Sequence, residues 1–567
     1  MNIGAATRFD GDYFDVVIIG GGINGVGLFR ELALQQLKVL LIEREDICAG
    51  ASAAPSRLIH GGIKYLETGE FRLVAQSTLE RNLLLRNAPH VVHPLATVLP
   101  IHSWFGGIGP SLKRFLGREG KMTDRGVLVI ELGLQIYDFL GRRARVMPRH
   151  KMFLRRKTRR QWPAMAKNVV ATGQYYDAAI SQPERLGYEC VMDGLSASLD
   201  CAALTYTVPE EFKDGTLSFR DRETGATQHV KAGVVVNAGG AWIDRVNETL
   251  GLETRYIGGT KGSHLILKHT KLLRALCGKM VYFGTPDGRI CLAYPFFDHV
   301  LVGSTDIRIE NPDEAVCTDE EQEYMLKMLG NLFPSFAFSP KDVIYRYSGV
   351  RPLPASNAKN PGAISRDHII HTDRVGETPV LSLVGGKWTT FRGLGEEVAD
   401  RILNILKRKR LASTHNRAIG GGRHYPSRQE TAPYLARLAA HYELTPERSK
   451  DLLRRYGTLA KEIAAFCAEE EDSALKSLPS YTRRELQFIA ENELVRHLSD
   501  ILFRRTTIAV CGKLTPDVVK EAGDAVASSL KWSREETAQE CAAAWREGVE
   551  RHHLQGEWKP DFSLSVS

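Results

Sequence analysis

Apolar residues fall in two rhythms along the chain, and the change from one to the other divides it near residue 405. Before that point short apolar runs, at Val16 to Ile19, Val39 to Ile42, Val234 to Val236, Val300 to Val302 and Val380 to Val384, alternate with stretches of helical spacing. Such runs predict strands buried on both faces, and their alternation with helices predicts an α/β architecture. A polar connection, KRKRLASTHNRAIGGGRHYPSRQE, predicts an exposed linker over about residues 406–425. Beyond it, RSKDLLRRYGTLAKEIAAFC, RRELQFIAENELVRHLSDILFRR and TPDVVKEAGDAVASSL carry helix-spaced apolar positions and little strand signal. They predict a C-terminal helical domain over residues 426–567.

At 567 residues, 43% of them hydrophobic, the chain is long enough to bury cores in two or three domains. Its nine cysteines form no CxxC pair, which predicts neither a disulfide framework nor a metal site and fits a reducing, cytoplasmic compartment. The opening MNIGAATRFDGDY lacks the basic and apolar regions of a signal peptide, and no apolar run reaches the roughly 20 residues that span a bilayer. The chain is therefore not expected to be threaded through a membrane.

Charge changes the picture at one place. The formal net charge is only +8, but GRRARVMPRHKMFLRRKTRR, Gly141 to Arg160, is about half Lys and Arg and holds no acid. Upstream, Trp104, Phe105, Leu112, Phe115 and Leu116 accompany Lys113 and Arg114, and VLVIELGLQIYDFL runs from Val127 to Leu140. Basic and apolar residues side by side suit the headgroup layer of an anionic membrane; they equally suit helices packed on the body whose charges keep it soluble. Nucleic acid is not expected as a partner, because only Phe153 places an aromatic ring within the basic run.

Candidate chemistry begins with FDVVIIGGGINGVGLFRELALQQLKVLLIERE, Phe14 to Glu45. Gly20, Gly22 and Gly25 follow a predicted strand, a helix begins near Asn24, and Glu43 ends a second strand, which is the arrangement of a dinucleotide site. The glycines allow a tight turn, close backbone approach to a pyrophosphate and close helix–strand packing, while the helix N-terminus offers N–H groups to the anion. Glu43 can accept hydrogen bonds from ribose hydroxyls and repels a 2′-phosphate. This motif alone leaves NAD and FAD open. SRLIHGGIKYL, Ser56 to Leu66, then places His60, Gly61 and Gly62 where a flavoprotein needs backbone close to its ring system.

Further motifs keep company with these: VVVNAGGAWID (Val234 to Asp244), KGSHLIL (Lys261 to Leu267), GSTD (Gly303 to Asp306), YSGVRPL (Tyr347 to Leu353), ISRD (Ile364 to Asp367) and GGKWTTFR (Gly385 to Arg392). Their order and spacing resemble the FAD-dependent glycerol-3-phosphate dehydrogenases, respiratory flavoproteins that oxidise sn-glycerol 3-phosphate to dihydroxyacetone phosphate. The resemblance runs from about Phe14 to Ala399 and continues through LSDILFRRTTIA, Leu498 to Ala509.

The resemblance implies a Rossmann-like FAD-binding domain of the glutathione-reductase/amino-acid-oxidase type, discontinuous over about residues 1–100, 160–250 and 345–405. An interleaved α+β substrate domain would take about residues 101–160 and 251–344. It implies FAD contacts from Gly20, Gly22, Asn24, Gly25, Glu43, Ser56, His60, Gly61, Gly62, Gly239, Gly386, Lys387 and Thr389. A phosphorylated polyol needs convergent cations, for which Arg351, Arg366 and Lys387 are the candidates, with Lys64, Tyr65 and Thr305 beside them. Loss of hydride from C2 leaves a proton on the 2-hydroxyl, and His264 is the expected general base, with Arg351 or Asp306 as alternative polarisers. Membrane quinone is the implied electron acceptor, an anionic cytoplasmic membrane surface the implied location, and a homodimer is left open.

Several positions depart from the family pattern. Lys64 stands where Arg is common, Phe29 and Glu31 replace a small residue and Asp, Gly240 and Ala241 replace Gly-Pro, and Phe391 replaces Tyr. Tyr175 to Leu186 also diverges. Another polyol phosphate, such as erythritol phosphate, and a soluble oxidase using oxygen therefore stand as alternatives.

Overall fold

The computed structural model describes residues 9–106, 126–285, 289–356 and 366–558. Leu112 to Leu116, and Ile364 and Ser365 of the ISRD motif, lie outside the described residues. The rest forms an eight-stranded and a ten-stranded sheet with a helical C-terminal part.

In the first sheet Thr378–Val384, Thr227–Asn237, Tyr13–Ile19, Val39–Ile42 and Ala202–Leu204 lie side by side in parallel. Strand alternation buries both faces. Val16, Ile18, Leu41 and Val236 pack under the helices Ile23–Ala33, Pro183–Ala197 and Phe391–Ile405. Val17, Ile19, Leu40 and Val235 pack instead on Phe212, Leu217 and Phe219 of an antiparallel hairpin. All apolar runs named for this sheet are thus strands without a wet face.

Two departures from the family pattern find their reason in this packing. Phe29 is fully buried, and Gly194 makes room for it, since a Cβ there would lie 2.7 Å from its ring. Glu31 is buried and accepts hydrogen bonds from Thr414 Oγ1 at 2.6 Å and from Arg410. Glu31 thereby ties down the connection that the sequence predicts as an exposed linker. That connection is exposed over Lys407 to Lys409 but buried at Thr414 and from Ile419 to Gly422, where Arg30 Nη2 also donates to Ala418 O at 2.9 Å. Its polar composition thus serves two ends, solvation over Lys407 to Lys409 and pairing of Arg410 and Thr414 with the buried Glu31.

In the second sheet Thr260–Leu267 runs antiparallel between Val343–Arg351 and His299–Gly303, so His264 pairs with Tyr347 on one side and Gly303 on the other. The sheet continues through Ile290–Phe296, Met280–Gly284, Val92–Ile101 and Ala171–Ile180.

The C-terminal part runs through helices from Thr431–His441 to Arg534–His552. Its core is shared with the second sheet: Leu486, Ile501 and Leu502 join Tyr294, Phe296, Tyr345 and Tyr347 in one apolar cluster. Buried ion pairs tie the C-terminal part to the first sheet's side as well, with Arg505 on Asp46 at 2.7 Å and Arg185 on Glu493 at 2.7 Å. No helix among the described residues is long and apolar enough to cross a membrane.

Candidate active site

A cleft of about 1300 Å³ is lined from both sheets. At one end lies the glycine turn. Gly20 has φ +113°, and a Cβ there would come 2.6 Å from Ala238 O; a Cβ on Gly25 would come 1.9 Å from Gly20 O. Gly22 starts the helix Ile23–Ala33 with no side-chain cap from its own position, leaving N–H groups directed at the cleft. Ser52 Oγ accepts one of them, from Ile23, at 2.9 Å. Glu43 is held at the cleft wall by the Gly21 N–H at 2.6 Å and the Glu45 N–H at 3.0 Å, each bonded to a different carboxylate oxygen. Burial pushes its pKa above the usual carboxylate range.

The second glycine group is equally constrained. Gly61 N–H donates to Asp177 Oδ1 at 3.0 Å and to the Tyr137 hydroxyl at 3.0 Å. Asp177 Oδ1 in turn accepts from Arg81 at 2.8 Å and from Tyr137 at 2.5 Å, so this backbone is fixed from beneath. His60 N–H donates to Thr389 Oγ1 at 3.1 Å, and burial lowers its imidazole to about 4, keeping it neutral. Gly62, with φ +74°, faces the Tyr65 ring, 2.2 Å from where a Cβ would sit. Gly239 N–H donates to Asn237 Oδ1 at 3.0 Å. Gly386 (φ +88°) lies against Asn24, whose Nδ2 donates to Gly385 O at 3.2 Å while its Oδ1 is buried without a partner. A bare-backbone cradle, an open helix start and an orphaned amide oxygen together fit the bound dinucleotide FAD.

Two of the three predicted cations converge on one carboxylate. Arg351 Nη1 donates to Asp306 Oδ1 at 3.1 Å, and Arg366 Nη2 to Asp306 Oδ2 at 3.2 Å. Arg351 also donates to Ser304 Oγ and Thr305 O, both at 3.2 Å, and lies over Gly262, where a Cβ would sit 2.1 Å from Nη2. Lys387 Nζ stands 3.7 Å from the Tyr65 ring centroid with no hydrogen-bond partner. Burial drives Lys387 down to about 7 and Tyr65 up to about 12. Lys64 also lines the cleft.

His264 Nε2 lies 2.8 Å from Ser56 Oγ, its ring stacks on Tyr347, and its Nδ1 is buried without a partner. Burial, then the positive fields of Arg351 and Arg57, lower it to about 3. Ser56 is therefore a partner of the imidazole. Thr305, expected beside the substrate, lines the cleft, and its hydroxyl donates to Glu321 Oε1 at 2.6 Å and accepts from Ser263 N–H at 2.9 Å.

Sequence reasoning missed Ser52, Asp177 and the counter-ion role of Asp306. Ser52 carries no motif of its own, and Asp177 lies in the divergent segment Tyr175 to Leu186. The signal for Asp306 was present, as the one acid in GSTD beside predicted cations.

Comparison with known proteins agrees with this geometry. The FAD dependent oxidoreductase family profile matches residues 15–401, and that of the C-terminal domain of alpha-glycerophosphate oxidase matches residues 412–537. A glycerol-3-phosphate dehydrogenase from Synechocystis sp. is 32% identical, over 88% of this chain and 89% of its own. A D-erythritol 1-phosphate dehydrogenase from Brucella abortus is 30% identical, over 87% of this chain and 94% of its own. The glycerol-3-phosphate dehydrogenase from Bacillus halodurans, solved in complex with FAD, shares the fold with a TM-score of 0.71 at 22% identity, covering 97% of this chain and 96% of that one. With the cradle, the cations and the family match in agreement, this chain belongs to the FAD-dependent glycerol-3-phosphate dehydrogenase family of oxidoreductases.

Proposed function

We propose that the chain oxidises sn-glycerol 3-phosphate at C2, giving dihydroxyacetone phosphate and passing the electrons to quinone at an anionic membrane surface. The observation that carries the substrate class is the convergence of Arg351 and Arg366 on Asp306, with Lys387 in the same cleft. A phosphate dianion satisfies such donors, and Arg forks match its oxygens. Bound FAD supplies the hydride acceptor. Arg351, Arg366 and Lys387 hold the phosphate, and His264 accepts the proton of the 2-hydroxyl as C2 loses hydride. Burial chiefly keeps the imidazole weakly basic, with the fields of Arg351 and Arg57 adding to it, and a phosphate beside Arg351 cancels part of that smaller contribution, so substrate binding raises the basicity of His264 in the useful direction. Thr305 supports this pocket through Glu321.

The membrane reading rests on the surface around residues 104–160. Trp104, Phe105, Leu128, Leu132, Phe139 and Leu154 are exposed, while Val127, Leu134 and Tyr137 turn the opposite side of the helix Val127–Leu140 inward. Exposed Arg142, Arg143, Arg155, Arg156 and Lys157 lie along the same stretch. Each basic side chain near an anionic surface contributes on the order of 1 kcal/mol, and the apolar rings add burial in the headgroup boundary.

Anaerobic mixing of the flavoprotein with glycerol 3-phosphate, erythritol phosphate and glycerol tests the substrate. Bleaching by glycerol 3-phosphate and none by glycerol is expected. Bleaching by erythritol phosphate alone would transfer the reading to the activity named for the Brucella relative. Co-sedimentation with anionic vesicles at low salt, weakening as salt rises, together with faster reduction of a quinone analogue than of oxygen, is the outcome expected of the membrane reading. Retention in the supernatant with oxygen as the faster acceptor would sink it.

A further inference from the structure

At the mouth of the cleft, on the side of Glu43, three cleft-lining side chains share a partner that comes from outside. Arg44 follows Glu43 directly, and its guanidinium stacks on Trp242 at 4.1 Å from the ring centroid. Arg44 Nη2 and Trp242 Nε1 both donate to Asp313 Oδ1, at 3.0 and 2.9 Å, and Arg245 Nη1 donates to Asp313 Oδ2 at 2.7 Å. Arg245 Nη2 also donates to Asn311 Oδ1 at 2.9 Å. Arg44 follows a strand of the dinucleotide-binding sheet, while Trp242 ends the short 3-10 helix Gly240–Trp242 and Arg245 lies in the helix Ile243–Thr249 that succeeds it, both after the strand Thr227–Asn237. Asn311 and Asp313 belong to the connection between Ile307–Arg308, an edge strand of the second sheet, and the helix Asp319–Leu332.

The contacts are specific in ways a chance surface cluster is not. Trp242 stands against Gly50, where a Cβ would come 3.4 Å from its ring, so the indole is braced on the segment that leads to Ser52. Arg222 Nη1 holds the backbone of Arg44 by donating to its carbonyl at 2.8 Å. Partial burial alone would raise the Asp313 carboxyl, but the bonds from Arg44, Arg245 and Trp242 hold it below the usual range. The carboxylate is thus ionised and fully engaged with three donors on the opposite wall. Arg44 and Trp242 pack as a flat plate beside the acid that faces the ribose.

We propose that Asp313 is a positioning residue that latches the Arg44–Trp242 plate and Arg245 across the adenosine end of the cleft, and that this latch slows the escape of FAD. It acts on cofactor retention and not on the hydride step, and it is independent of which polyol phosphate is oxidised.

The test follows FAD release from the holoenzyme after dilution, by the rise in flavin fluorescence, for the wild type, Asp313→Ala, Arg245→Ala and the double variant. Asp313→Ala is expected to release FAD roughly three- to tenfold faster, the range that several partly exposed charge-assisted contacts support. Because Arg245 shares its hold on this connection between Asp313 and Asn311, the effects of the two substitutions are expected to combine to less than their sum in the double variant. Partly exposed positions on the rim leave the fold standing, which the unfolding midpoints of the apo-proteins check. Release at the wild-type rate, or slower release because the freed arginines grip the pyrophosphate, overturns the latch. Full additivity of the two substitutions overturns it as well.

Discussion

The amine of Lys387 lies 3.7 Å from the centroid of the Tyr65 ring and has no hydrogen-bond partner, although it is buried. Burial lowers its pKa to about 7, below the roughly 10.4 of a free lysine. Between those values the unfolded chain binds a proton that the folded chain does not. The cost of burying the ammonium is therefore full below pH 7 and fades as pH rises through the window. Binding works in the opposite sense, because a phosphate dianion favours the charged amine and draws a proton in. The value of kcat/KM is expected to fall above about pH 7 as free enzyme loses this charge. In Lys387→Arg that alkaline limb should disappear. A wild-type profile flat to pH 9 would show that Lys387 does not meet the phosphate.

Asp306 is shared by Arg351 and Arg366, offsetting one of their two charges, so an entering phosphate competes with a carboxylate already in place. Arg366→Ala is expected to raise KM with little change in kcat, lowering kcat/KM roughly ten- to a hundredfold, the loss of one charge-assisted contact of about 1.5–3 kcal/mol. Asp306→Asn should tighten inhibition by inorganic phosphate about tenfold, because about 1.4 kcal/mol of competing attraction is removed. Steady-state inhibition measures both. Weaker phosphate inhibition in Asp306→Asn would mean that the acid positions the arginines instead of competing for them.

These two predictions also mark what the sequence could reveal. Gly20, Gly22, Gly25 and Glu43 are legible because the turn, the helix start and the acid fall within one strand–helix–strand unit, where spacing dictates geometry. Arg351, Arg366 and Lys387 are legible as cations in glycine- or turn-rich motifs. The carboxylate that Arg351 and Arg366 share is a tertiary relationship, with Arg351 brought beside the Gly303–Asp306 turn by the pairing of Thr260–Leu267 with both Val343–Arg351 and His299–Gly303, and a linear reading does not contain it. Thr305 shows the limit most clearly. Its motif places it beside the cleft, but only the fold brings Glu321 from a distant helix to claim its hydroxyl. The buried part of the linker escapes a linear reading for the same reason, since Thr414 answers Glu31 and the Ala418 carbonyl accepts from Arg30, nearly 400 positions earlier.

Asp46 links the first sheet to the C-terminal helices. Arg504 Nε donates to Asp46 Oδ2 at 2.6 Å and Arg505 Nη2 to Asp46 Oδ1 at 2.7 Å, with Asp46 and Arg505 fully buried. Removing one partner of such a pair leaves a charge in the core, which costs about 3–5 kcal/mol. Asp46→Ala is expected to lower the unfolding free energy read from urea titration by that amount, and to expose the C-terminal helices to proteolysis first. A variant as stable as the wild type would show that water or rearrangement meets the two guanidinium groups.

His264 is the remaining commitment. Its Nε2 is engaged by Ser56 at 2.8 Å and its Nδ1 is buried without a partner, so one nitrogen is fixed and the other is unsatisfied. At a pKa of about 3 the imidazole is neutral across the working range, which leaves it able to accept a proton without first losing one. Burial is the main reason the base is weak, and phosphate charge placed beside Arg351 relieves the smaller contribution of that arginine's field. His264→Asn retains a polar side chain of similar reach but cannot take the proton. It is expected to lower kcat by about 10²–10⁴, the usual worth of general-base catalysis, with KM nearly unchanged. Ser56→Ala should cost less, roughly tenfold, because it only loosens the ring. Single-turnover flavin reduction reads both without interference from the acceptor. If His264→Asn reduces its flavin within about threefold of the wild-type rate, below what removing a base must cost, the proton leaves by another route. Lys387, neutral above about pH 7 in the same cleft, then becomes the group to test.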